Sequence, residues 1–99
     1  MSNYEKFYIN GEWVEPSGSD TIDVINPATE EAVGTISLGN NSDVDAAVSA
    51  AQEAFQSFSQ TSIEDRMDLL NKITEIIGAR SEDLAAAITS EMGAPNGLA

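Results

Sequence analysis

The chain has no cysteine and no histidine among its 99 residues. Disulfides and cysteine nucleophiles are excluded, together with zinc sites built on nitrogen or sulfur ligands. Catalytic triads that depend on histidine go with them. Basic residues are scarce as well: Lys6, Arg66, Lys72 and Arg80 face 17 acids, for a net charge of −13. A nucleic-acid partner needs a Lys/Arg surface to neutralise phosphates, and an anionic membrane needs the same, so neither fits. The simplest reading of the acid is a solubility device suited to a salty cytoplasm; a basic partner protein is the other. No apolar run approaches the length of a membrane-spanning helix. The start, "MSNYEKFYIN", lacks the basic and apolar regions of a secretory signal. A cytoplasmic location is the expectation.

Hydrophobic residues make up 41% of the chain, near the globular norm, and 99 residues suffice for one small domain at most. The first forty residues read as strands and turns. "KFYINGEWVE" holds two short aromatic and β-branched runs split by Asn10-Gly11, a pair suited to the positive φ angles of a two-residue hairpin turn. "PSGSD" is a loop by composition. Residues 21–25, "TIDVI", alternate Ile22 and Val24 against Thr21 and Asp23 until Ile25 breaks the pattern. Residues 32–38, "AVGTISL", form a second candidate strand. Between them Asn26-Pro27 disfavours helix and predicts a turn. Two hairpins in series are expected.

From residue 42 the period lengthens. Val44, Ala47, Val48, Ala51, Phe55 and Phe58 share one helical face, and Ser42 with Asp45 forms a plausible cap. A second helix carries Ile63, Met67, Leu70, Ile73 and Ile77, widened by Leu69 and Ile76, with Ser62 as N-cap and Asp65 three positions on. Gly78 weakens its end. Ser81 can cap a third helix, bearing Leu84, Ile88 and Met92 and stopping at Gly93. Pro95 then marks the opening of a further helix over 94–99, after hairpins in 1–41 and helices in 42–93. Strands followed by helices predict an α+β segment, or one end of a larger α/β protein.

Paired carboxylates are the first candidates for acid–base chemistry. Asp43 with Asp45, Glu64-Asp65 and Glu82-Asp83 all fall in first helical turns, where they oppose the positive end of the helix dipole. Glu30-Glu31 sit in a turn and read as solvated. "NNSDVDAAVSAAQE" begins like a calcium loop and then turns alanine-rich; "GNNSD" is too short for a phosphate loop. Phe7, Tyr8 and Trp13 are explained by cross-strand packing, and Met67 and Met92 by core stripes. By residues alone the chain reads as scaffold.

In order, "FYINGEWV", "INPATEEAVGTIS", "DVDAAVSAAQEAF", "RMDLLNKI" and "EDLAAAITSEMGAP" resemble the amino-terminal segment of the aldehyde dehydrogenase superfamily. The resemblance covers nearly all of residues 7 to 95, and "INPAT" and "EMGAP" are its most specific parts. It implies an incomplete portion, over 1–99, of the α/β cofactor-binding domain of an enzyme several times longer, and a homo-oligomeric one. Such enzymes oxidise an aldehyde to a carboxylic acid with NAD or NADP: a cysteine attacks the carbonyl, hydride passes to the nicotinamide, and a glutamate activates water. Those groups, the oxyanion asparagine and the dinucleotide loop lie downstream in the family. The chain is therefore expected to hold no catalytic and no cofactor-binding residue, and to be inactive alone, with the remainder of the polypeptide as its partner.

One family feature carries over to positions in this chain. A structural Na+ or K+ ion takes carbonyls just before the Asn-Pro turn and an acid at the end of the third helix, which match Val24 or Ile25, and Glu91. Phe58, where the family commonly has tryptophan, and Gly78, where a better helix former is usual, depart from the pattern. The reading of a different class is a self-sufficient acidic protein-interaction module without catalytic activity; stable folding as a monomer would mark it.

Overall fold

The Asn10-Gly11 pair turns the chain with φ angles of 56° and 79°, the left-handed values that a tight primed turn demands. In the computed structural model, which describes residues 2–99, this turn joins β2 (Phe7–Ile9) to β3 (Glu12–Val14) as an antiparallel hairpin. A second hairpin pairs β4 (Thr21–Asn26) with β5 (Glu31–Ser37). Its turn is held by the Asn26 side chain, which accepts from the Ala28 N–H at 2.9 Å, and by the Asn26 carbonyl, which accepts from Glu30 N–H at 2.7 Å. Both expected hairpins are present.

A further strand, β1 (Ser2–Tyr4), was not anticipated. It joins β5 in parallel to give a sheet of order β1-β5-β4, while β2-β3 stays a separate ribbon. Three residues, of which only Tyr4 favours a strand, carry too little signal of their own; the free edge of β5 supplies it. The second hairpin also carries an irregularity. Val24 opposes Gly34 and Ile25 opposes Ala32, so Val33 is an extra residue and β5 is bulged there.

Three helices follow: α1 (Asn41–Phe58), α2 (Ile63–Ala79) and α3 (Ser81–Met92). Two of the three expected caps shift. α1 is capped by Asn40 rather than Ser42: the Asn40 side chain accepts from Asp43 N–H, and Asp43 returns the bond to Asn40 N–H, a reciprocal box two residues upstream of the one expected from Ser42 and Asp45. Ser62 caps α2 as expected, accepting from Asp65 N–H at 3.0 Å. Ser81 does not cap α3. Arg80 alone separates α2 from α3, so Ser81 is already helical and no side chain caps the junction. α3 ends on Gly93 at φ 81°, a left-handed C-cap. Beyond it, Leu98 and Ala99 N–H groups both donate to the Pro95 carbonyl.

The packing explains what these elements lack. α3 lies against β4, and α1 meets β2, with the Phe7 ring close to Gly39 just before the helix. Only Gly34 and Ala94 are buried among the described residues. The helical stripes are formed but uncovered: Phe55 is 67% exposed and Leu70 63%. The molecule is a slab of 48 × 36 × 15 Å with a radius of gyration of 17.2 Å, against about 13 Å for a compact chain of this length. Its accessible surface is 7798 Å², where a folded monomer of this mass exposes about 5,400 Å².

Candidate functional site

The three residues singled out as ion ligands lie where the second hairpin meets the end of α3. Val24 pairs with Gly34 on the sheet face that α3 covers. Glu91 lies in the last turn of α3. Val24 and Glu91 line one cavity of about 370 Å³, together with Tyr4, Val33, Gly34, Ile36, Ala87 and Ser90. The bulge brings Val33 onto this wall beside Gly34, where a regular strand would send it to the other face. Ile25 is not part of the cavity lining.

Backbone direction separates Val24 from Ile25. The bond from Leu38 N–H to the Asp20 carbonyl, at 2.8 Å, fixes which β4 residues face β5. Counting in twos, Ile22 and Val24 turn their backbone groups into the ladder, whereas Ile25 turns its carbonyl off the outer edge of β4. Ile25 thus offers the freer carbonyl, and Val24 shares the cavity with the carboxylate. One carboxylate and neutral carbonyls make an oxygen-only, low-charge donor set suited to a hard monovalent ion. No group of three or more His, Cys, Asp or Glu is gathered among the described residues.

The helix N-termini are the other places where a cofactor phosphate could sit. Each carries its own acid. Asp43 occupies the first turn of α1, Glu64 and Asp65 that of α2, Glu82 and Asp83 that of α3. At α1 the occupancy is specific. Asp43 Oδ2 accepts from Asn40 N–H and Oδ1 from Ser17 N–H, both at 3.0 Å, and the Ser17 hydroxyl donates to Asn40 Oδ1 at 2.7 Å. The Asn40 N–H, and then the Ser17 N–H, hold the Asp43 carboxyl below its ordinary range against a smaller opposing effect of burial. At the start of α1 a fixed carboxylate therefore stands where a phosphate would approach. Sequence reasoning missed this latch because Ser17 lies 23 residues before Asn40. Glu64-Asp65 and Glu82-Asp83 lie in the first turns of α2 and α3 as expected, whereas Asp45 falls beyond the first turn of α1.

The match to known proteins is extensive. The family model described as the aldehyde dehydrogenase family matches residues 13–99. This chain belongs to the aldehyde dehydrogenase family. A protein of Staphylococcus saprophyticus that carries the family name is 52% identical over 99 residues, all of this chain and 21% of its own length. A Staphylococcus aureus counterpart is 51% identical over 98 residues, 99% of this chain and 21% of its own. Among solved structures, the aldehyde dehydrogenase of Bartonella henselae superposes with a TM-score of 0.97 at 48% identity, over 99% of this chain and 21% of that one. Aldehyde dehydrogenase C of Pseudomonas syringae, a C291A mutant solved with NAD+ and octanal, gives 0.92 at 48% identity, over 93% and 19%. The chain thus spans about a fifth of the length of the relatives it matches. It corresponds to an amino-terminal segment of the family, with hairpins followed by helices as the resemblance implied.

Proposed function

We propose that these residues are the amino-terminal scaffold of an NAD(P)-dependent enzyme that oxidises an aldehyde to a carboxylic acid, and that they contribute no group to the chemistry. The observation that carries this reading is the uncovered surface. The accessible area of 7798 Å² exceeds that of a compact monomer by roughly 2,400 Å². That excess is on the scale of a large, permanent interface. It lies on regular apolar stripes in a segment that superposes on the Bartonella enzyme at a TM-score of 0.97. A backbone this faithful to its relative, with its stripes bare, is one whose core is completed by the rest of such a polypeptide. The NAD+ present with the Pseudomonas and Mycobacterium tuberculosis relatives supports the cofactor class.

Two measurements test this. The 99-residue chain neither reduces NAD+ with octanal nor binds it at micromolar concentration; saturable binding by calorimetry would overturn the reading. Exchanged for the corresponding segment of the Staphylococcus aureus relative, the chain supports NADH formation by the hybrid; an inactive hybrid that is folded and fully assembled would count against it.

Within the same reading, Glu91 and the Ile25 or Val24 carbonyl hold a Na+ or K+ ion that ties α3 to the second hairpin. Further oxygen donors come from outside these residues. Exchanging Na+ or K+ for a bulky organic cation lowers the melting temperature of the hybrid, and Glu91→Gln abolishes that difference. A cation response unchanged by Glu91→Gln would remove the assignment.

A further inference from the structure

The hairpin β2-β3 has two unlike faces. Phe7, Ile9 and Val14 are half-buried on the side of α1. By the two-residue alternation Lys6, Tyr8, Trp13 and Glu15 face the other way. There Tyr8 and Trp13 form an edge-to-face pair across the strands, with ring centroids 5.2 Å apart at 62°. Next to this pair a cavity of about 440 Å³ is lined by Tyr4, Glu5, Lys6, Trp13 and Glu15. Tyr4 and Trp13 remain 67% and 66% exposed.

Aromatic faces and carboxylates around one hollow have a common preference, which is for a cation. A ring face attracts positive charge through its quadrupole, and a neighbouring carboxylate adds the counter-charge and a hydrogen-bond acceptor. The chain's own use of the hollow agrees. Lys6 Nζ stands 3.2 Å from Glu15 Oε1 at its rim. One ammonium against Glu5 and Glu15 leaves the wall net negative, on a molecule whose total charge of −13 draws basic partners from a distance. Among cationic groups, guanidinium has the matching shape: planar for stacking on Trp13 and forked for a carboxylate.

We propose that this cavity is a docking site for an arginine side chain of a basic protein segment, seated on Tyr4 and Trp13 and held by Glu5 and Glu15. Tyr4 and Trp13 line this cavity without any residue of α1, while Glu15 also borders the groove between the hairpin and α1.

Trp13 is the single tryptophan of the chain and reports on the site directly. The probe is a ten-residue peptide with three arginines among glycines and serines, compared with the same peptide carrying neutral citrulline. The arginine peptide changes Trp13 emission saturably at one-to-one stoichiometry, and the citrulline peptide binds at least tenfold more weakly. Trp13→Leu leaves net charge unchanged and weakens calorimetric binding at least fivefold; Glu15→Gln weakens it at least threefold. Equal binding by the Trp13→Leu chain would show general attraction to an acidic surface and overturn the proposal. Absent binding would overturn it too, as would loss of the Tyr8–Trp13 ring-current shifts in the free chain, since the cavity requires a formed hairpin.

Discussion

Gly93 packs so closely on Pro27 that a Cβ added to it would lie 2.9 Å from Pro27 Cγ. The same glycine holds φ at 81°, donates its N–H to the Thr89 carbonyl, and precedes Ala94, which is 7% exposed. The end of α3 and the turn of the second hairpin therefore meet at a residue that has two independent reasons to lack a side chain.

Gly93→Ala puts both reasons to the test. Left-handed backbone costs a non-glycine residue about 1–2 kcal/mol, and the clash with Pro27 adds to it because a proline ring on a turn has little room to yield. The amide of residue 93 loses about tenfold or more of its hydrogen-exchange protection, at 1.4 kcal/mol per factor of ten. Amides in the middle of α1 do not change. Equal loss in both places would mean that α3 is not separately docked on the hairpin.

Gly11→Ala has a milder and more local effect. Gly11 sits at φ 79° with nothing within 4 Å of an added Cβ, so only backbone strain opposes the substitution. The hairpin loses about 1 kcal/mol, and the upfield shifts that Tyr8 and Trp13 induce in each other shrink. Asn10 at φ 56° tolerates glycine, so Asn10→Gly leaves those shifts in place.

The Asp43 carboxyl supplies a pH dependence with a definite sign. Its folded pKa lies below the ordinary aspartate value because the Asn40 and Ser17 N–H groups favour the charged form. A depressed carboxylate stabilises the fold fully above the unfolded pKa and loses that contribution as pH falls through the folded value. The contact between the start of α1 and the Ser17 loop is therefore at full strength above the ordinary carboxylate range and weakens progressively as pH falls below it. Carbon-13 titration of the Asp43 carboxyl shows the low midpoint, and Ser17→Pro, which removes one N–H donor, raises it. Asn40→Ala loosens the first turn of α1 by about 1 kcal/mol at neutral pH.

How much of this was legible in the sequence follows the range of each interaction. Asn10-Gly11, the Asn26-Pro27 turn, the Ser62 cap and the Gly93 stop are decided within a few residues, and each stands where its residues placed it. Strand β1 was not legible, because its pairing with β5 joins Tyr4 to Ile36 across the whole of both hairpins. The α1 cap moved for a similar reason. Ser42 and Asn40 are equally good local candidates, and Ser17, from the preceding loop, selects Asn40 by donating to its side chain. The family resemblance pointed to Val24, Ile25 and Glu91 as ion ligands, but only strand pairing tells which carbonyl points outward.

The bare stripe of α2 gives the last prediction. Met67, Leu70 and Ile77 are 56%, 63% and 52% exposed, so removing their apolar groups takes nothing from a core within these residues. Exposed substitutions of this kind change stability by about 0.5 kcal/mol or less. Met67→Lys with Leu70→Lys therefore leaves the helical circular dichroism of the isolated chain unchanged, while lowering its binding of a hydrophobic dye and its self-association in sedimentation. On the proposed scaffold reading, the same pair falls at a covered interface in the hybrid with the Staphylococcus aureus relative. Two lysines there must be desolvated without partners, at several kcal/mol each, and the hybrid fails to fold or assemble. The contrast between a silent change in the short chain and a severe one in the long chain is what distinguishes a scaffold face from an ordinary solvent-exposed helix. A hybrid that tolerates both lysines would mean that α2 faces water in the parent enzyme as well.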